Sequence, residues 1–187
     1  MKLHIENTGV DWSNFEVLER GRLPARADFR SFCGLSPDGR PEAERGLSLN
    51  GRWKFCFLES PFMALAERFF SPSFDDSGWT EIDVPSEWEF SGYGAPHYTD
   101  VEAVFPVTDA PLPLVHNPTG LYRRSFCLPE GQSRVLLRFD GVESGFHIFV
   151  NGAPAGYSQG SRCSSEFDVT ALVHPGENLL AVRVYKV

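Results

Sequence analysis

The dipeptide Asn151-Gly152 constrains this chain more tightly than any other pair of residues. Both residues tolerate positive φ, as the two-residue type I′ turn requires, and apolar strand formers, FHIFV, run directly into them. A hairpin is expected here, with its second strand starting near Ala153. The same grammar repeats on both sides. LYRRSFCL, RVLLRFDGV, SGFHIFVNG, AGYSQ, EFDV and NLLAVRVYKV read as strands separated by turn residues, with Pro175-Gly176-Glu177-Asn178 turning the chain into the last of them. Upstream, LSLNGRWKFCFLES sets Trp53, Phe55 and Phe57 on one face and Lys54, Cys56 and Leu58 on the other. A further short strand is expected from Thr80 to Val84. Helical spacing is confined to PFMALAERFFSP, where Pro61 starts the segment, Phe62, Leu65, Ala66 and Phe69 recur, and Pro72 ends it. The expected class is therefore all-β, an antiparallel jelly-roll sandwich.

The 187 residues suit one large β domain. Sixteen Phe, five Tyr and four Trp, with 17 Gly and 14 Pro, agree with strands joined by tight turns. Residues 1–45 read differently, as an irregular N-terminal arm. There Trp12, Phe15, Leu18 and Leu23 follow no period, and Pro24, Gly34, Pro37, Gly39 and Pro41 interrupt regular structure. Composition shifts at Gly46, so residues 46–187 form the expected domain. LLAVRVYKV runs to the last residue with no turn or polar tail, which reads as a cut within a longer protein.

Seventeen Lys and Arg against 25 Asp and Glu leave a net charge of −8, which excludes the clustered basic footprint of a nucleic-acid partner. No apolar run approaches the roughly 18 residues of a membrane span, and the opening residues turn polar after Ile5, so neither a membrane partner nor a secretory leader is expected. A cytoplasmic location follows. Cys33, Cys56, Cys127 and Cys163 lack any CxxC spacing and are expected as buried or half-buried free thiols.

Candidate chemistry is sparse. Glu87 with Glu89, Asp100 with Glu102, and Glu166 with Asp168 stand two residues apart, but acids adjacent on one strand point the same way and read as solvated faces. His4, His97, His116, His147 and His174 include no pair at i and i+4. His147 faces opposite to Phe146 and Ile148 and reads as a surface imidazole. No G-x-S-x-G elbow nominates a serine. A sugar site would combine aromatic platforms with polar side chains, and Trp79, Trp88, Tyr93, Tyr98 and Asn117 supply those types. The alternative for the aromatics is closure of the core.

Five strings, VPSEWEFSGYGAPHYTD, HNPTGLYRRSF, RFDGVESGFHIFVNG, GYSQGSRCSSEFDVT and PGENLLAVRVY, come in this order. Together they resemble the amino-terminal domain of family 2 glycoside hydrolases, specifically the large β-galactosidases, and RLPARADF is similar to the arm of the same enzymes. β-Glucuronidases and β-mannosidases share the hairpin and EFDVT. The resemblance implies a galactose-binding-domain-like jelly roll that helps shape the sugar site of a retaining β-galactosidase. It places both catalytic glutamates in a separate barrel, so this chain is expected to carry no catalytic residue and to be inactive alone. From the loop Asn117-Pro118-Thr119-Gly120 it assigns Asn117 as the substrate contact, with Pro118 holding it in extended geometry. Gly160 stands where some members carry an acidic residue that touches sugar and a sodium ion, so no metal residue is expected here. The resemblance implies no cofactor in this chain, although full-length members use Mg and Na. Its implied partners are a β-galactoside, the remaining domains of the full enzyme, and further copies in a homo-oligomer. A stand-alone carbohydrate-binding module and a β-glucuronidase or β-mannosidase domain are the alternative readings.

Overall fold

The computed structural model describes residues 11–14, 16–27, 31–43, 46–65, 68–96 and 117–186. Among them the strands are β1 (Glu19–Arg20), β2 (Gly51–Leu58), β3 (Thr80–Val84), β4 (Thr119–Leu128), β5 (Leu136–Phe139), β6 (Gly145–Val150), β7 (Ala153–Gln159), β8 (Ser165–Asp168) and β9 (Gly176–Tyr185). Seven form one sheet in the order β1-β7-β6-β9-β4-β2-β3, and β5 pairs with β8 in a second. Every pairing is antiparallel, so the expected all-β sandwich is what the chain adopts. Asn151 and Gly152 have φ of 51° and 83°, the two positive values that a type I′ hairpin needs.

The period of two along each strand decides which layer a side chain joins. Trp53, Phe55, Phe146, Ile148 and Val182 point from the large sheet toward Phe167 of β8, with Leu137 and Phe139 of β5 packed around them. The opposite face of the large sheet is also covered. Phe69, Leu121, Phe149 and Ala181 form one cluster there, and Trp12, Tyr157 and Tyr185 form another. Covering both faces buries β6 at every residue. Each apolar side chain removed from water contributes about 1.5–3 kcal/mol, so the second layer is energetically substantial.

The amino-terminal segment supplies part of that second layer. Glu19 and Arg20 pair with Ser158 and Tyr157 of β7, and the Leu23 amide donates to the Glu166 carbonyl of β8 at 2.8 Å. One short run of chain therefore stitches both sheets together along one side. Its path needs Gly156: a Cβ there would lie 2.5 Å from the Phe167 ring and 2.7 Å from the Arg20 carbonyl.

Several expectations need correction. Among the described residues the helical stretch is α1 (Pro61–Leu65) alone, and Phe69 is fully buried near a turn between Arg68 and Ser71. Tertiary burial of Phe69 against Phe149 outweighs its helical spacing. The last strand begins inside the Pro175–Asn178 turn, at Gly176. Cys33, Cys127 and Cys163 are exposed and only Cys56 is half-buried, because apolar layers do not extend over the turns and strand end that carry the other three. His147 does face away from Phe146 and Ile148, yet it is 2% exposed, because the amino-terminal segment roofs that face. Glu166 is likewise no solvated acid. Arg26 grips both its oxygens at 2.6 and 2.7 Å.

Gly156→Ala should lower stability by about 1–3 kcal/mol, the usual cost of overpacking, because the new methyl has no free space. Urea unfolding checks this, and an unchanged midpoint would mean that the arm and β8 do not close on Gly156.

Candidate functional site

β4 and β9 pair from Thr119↔Tyr185 to Leu128↔Gly176, and the loop carrying Asn117 stands at the first of these ends. Three contacts hold it. Thr119 Oγ1 donates to the Asn117 carbonyl at 2.9 Å, the Lys186 amide donates to the Pro118 carbonyl at 3.0 Å, and the ladder begins at the next residue. The Asn117 side chain is 1% exposed. The residue is thus enclosed at the end of the ladder.

The neighbouring wall is a 3-10 turn, Trp88–Ser91, stopped by Gly92 at φ 89°. Trp88 lies on Gly120, where a Cβ would come within 2.6 Å of its ring. This close approach is a physical reason for glycine two residues before Tyr122 in the strand. Tyr93 packs on Phe55 and Phe57 with centroids 4.9 and 5.7 Å away, and its hydroxyl shares a 2.7 Å hydrogen bond with Thr80. Trp79 packs edge-on to Phe74 at 5.5 Å. Trp88, Tyr93 and Trp79 thus serve the packing role rather than standing free as sugar platforms. The Trp88 indole N–H is buried with no hydrogen-bond partner among the described residues.

Sequence reasoning missed Lys186. Its ammonium donates to Glu89 Oε1 and, at 3.2 Å, to the Ala95 carbonyl, while its own amide holds Pro118. One residue therefore ties the Asn117 loop to the wall, with both charged side chains only 15% exposed. No local pattern marks Lys186, because its partners lie about 90 residues upstream. Burial, with the nearby Glu89 charge adding to it, pushes the Tyr122 phenol well above its ordinary range, so it stays protonated at neutral pH. Phe90, next to Glu89, is 85% exposed.

The remaining nominated groups do not converge here. Glu166 and Asp168 are engaged by Arg26 and by Arg134 at the far side. Gly160 has φ 104°, a backbone that disfavours any side chain, and it supplies no carboxylate. Among the described residues no group of three His, Cys, Asp or Glu is placed to hold a metal ion. Tyr98, Asp100, Glu102, His4, His97 and His116 lie outside the described residues. A separate open groove of about 850 Å³ lies over the other end of the ladder, lined by Arg52, Lys54, Phe74, Glu81, Arg123 and Glu177 among others. Several of its charges are already paired, Arg123 with Asp76 at 2.6 Å and Lys54 with Glu81 at 3.8 Å.

Comparison with known proteins adds the family context. The model of the glycosyl hydrolases family 2 sugar binding domain matches residues 47–187. A beta-galactosidase of Psychromonas ingrahamii is 38% identical over 182 residues, covering 94% of this chain and 17% of that protein. A beta-galactosidase of Arthrobacter sp. is 43% identical over 159 residues, covering 75% and 16%. The chain thus spans about a sixth of the length of the curated relatives it matches. Among solved structures, a beta-glucuronidase of Bacteroides uniformis superposes with a TM-score of 0.56 at 27% identity, covering 75% of this chain and 14% of that one.

Lys186→Met should cost about 1–3 kcal/mol by stranding the Glu89 carboxylate in a mostly buried place, below the roughly 3–5 kcal/mol of a fully buried pair. Adding Glu89→Leu should recover part of the loss. Thermal melts of the two variants check this, and equal losses in both would remove Lys186 from the role of tie.

Proposed function

The chain belongs to family 2 of the glycosyl hydrolases, through a match to the family's sugar-binding domain over residues 47–187. From that premise we propose that it is the amino-terminal, sugar-site-shaping part of a retaining β-galactosidase. The observation that carries the reading is the fixed seating of the Asn117-Pro118-Thr119-Gly120 loop at the end of the β4–β9 ladder. Identity of 38% to a curated beta-galactosidase, against 27% to the beta-glucuronidase structure, favours the galactoside over the glucuronide reading.

Retaining hydrolysis needs a nucleophile and an acid/base about 5–5.5 Å apart. The family resemblance puts both in a barrel elsewhere in the longer enzyme. The role left to this chain is binding. An amide offers a donor and an acceptor, which match a sugar hydroxyl in both directions. A side chain fixed by its surroundings before ligand arrives loses little entropy on binding. Phe90, exposed beside the Glu89–Lys186 tie, is suited to packing against the neighbouring domains. Division into an arm, 1–45, and a domain, 46–187, a cytoplasmic location and homo-oligomeric assembly of the longer enzyme belong to the same proposal.

Two outcomes follow. The purified chain should release no nitrophenol from a nitrophenyl β-galactoside, and reproducible release by material free of host enzyme would contradict the division of labour. In the longer enzyme, Asn117→Ala should reduce kcat/KM by about 1–3 kcal/mol, or roughly 5- to 150-fold. Because Asn117 is buried, Tm should fall as well. The kinetic loss must therefore persist well below Tm; an unchanged kcat/KM there, with lowered Tm, would leave Asn117 a purely structural residue.

A further inference from the structure

Beneath the amino-terminal segment lies a buried polar chain that the sugar-site reading does not use. Tyr185 of β9 meets His147 Nδ1 at 2.9 Å, His147 Nε2 meets Asp11 Oδ2 at 3.1 Å, and Asp11 takes two bonds from Arg20, both 2.8 Å. Asp11 and His147 are each 2% exposed. One proton on the imidazole satisfies every atom. The Tyr185 hydroxyl donates to Nδ1, Nε2–H donates to the Asp11 carboxylate, and the Arg20 guanidinium donates to both Asp11 oxygens. A second proton on Nδ1 would force the Tyr185 hydroxyl to turn its hydrogen away from the ring and give up that acceptor, and would add a further cation to the cluster.

The groups facing His147 come from every element packed around it. Among the described residues, Asp11 and Arg20 belong to the amino-terminal segment, Tyr157, its ring tilted against the imidazole at 4.5 Å, to β7, and Tyr185 with Arg183 to β9. Asp11, Arg20 and Trp12, which packs on Tyr185 at 5.7 Å, all leave together if the segment lifts. Lifting the segment hydrates His147, so the protonation of this one imidazole and the docking of the segment are thermodynamically coupled.

We propose that Asp11, His147 and Tyr185 form an acid-released latch, which holds Asp11, Trp12 and Arg20 on the outer face of the large sheet at neutral pH and frees the amino-terminal segment on acidification while the sandwich stays folded. Burial lowers the His147 pKa from 6.5, the nearby Arg183 and Arg20 charges add to that, and the Asp11 hydrogen bond and charge oppose it without cancelling it. The docked form therefore resists protonation. Docking is at full strength above about pH 6.5 and weakens as pH falls below it, because the undocked form binds the extra proton. Asp11 acts in the same direction further down: burial raises its pKa, but bonds from His147 and Arg20 outweigh this and hold it below 3.8.

The test is hydrogen exchange followed by mass spectrometry on the chain as it stands, at pH 7.5 and 5.5, with intrinsic exchange rates divided out. One proton titrating at 6.5 in the open form gives a rise of up to roughly tenfold in the opening of the amino-terminal segment. Peptides from β4 and β9 should keep their protection. The His147→Gln protein, which cannot take the proton, should show no such rise. The imidazole provides a second measurement that needs no variant: by NMR, His147 in the docked form should titrate below 6.5. Equal opening at both pH values, an equal rise in the His147→Gln protein, loss of protection spread through β4 and β9, or an imidazole titrating at 6.5 while docked would each overturn the latch.

Discussion

The antiparallel ladder between β4 and β9 is the interaction on which the rest of the molecule depends. It runs for ten residues on each strand, in the middle of the seven-stranded sheet, and both strands alternate between two buried layers. Val182 and Val184 point to the sandwich core, while Ala181 and Tyr185 point to the second layer. One end of this ladder sets the Asn117 loop through the Lys186 amide, and Tyr185 at the same end anchors His147. A slip of one residue would exchange the two faces and dismantle both arrangements at once.

Burying both faces of a sheet has an electrostatic consequence. Residues on the outer face that would be solvated in an open sheet must find partners, and this chain places several charges there. Arg123 reaches Asp76 at 2.6 Å and the carbonyls of Phe69 and Ser71, and Arg183 lies over the rings of Phe69 and Phe149 at 5.1 and 5.9 Å. Buried cations of this kind are tolerated only with such compensation. They tie the segment between α1 and β3 to the sheet alongside its apolar residues, much as Glu166 ties Arg26 on the other side.

Most of the strands were legible in the sequence, because alternation and turn chemistry are local signals. The Asn151-Gly152 hairpin, the strand from Thr80 to Val84 and the inward face of Trp53, Phe55 and Phe57 needed only neighbours in the chain. What escaped depended on distant partners. The facing of His147 was readable, but its burial rests on Asp11, 136 residues away. Glu166 looked like a solvated acid because nothing near it announces Arg26. The Asn117 loop was legible only through its resemblance to the family. Its tie to the Trp88 turn was not, since Lys186 is an ordinary lysine until the ladder brings it beside Glu89.

The proposed function has the end of the ladder hold Asn117 for a sugar hydroxyl in the longer enzyme. A crystal structure of the longer enzyme with a non-hydrolysable thiogalactoside bound tests it most directly. The Asn117 amide should then lie within about 2.7–3.2 Å of a galactosyl hydroxyl, with the Lys186–Pro118 and Lys186–Glu89 contacts intact. A bound galactoside more than about 3.5 Å from Asn117, with that side chain still enclosed as it is here, would contradict it.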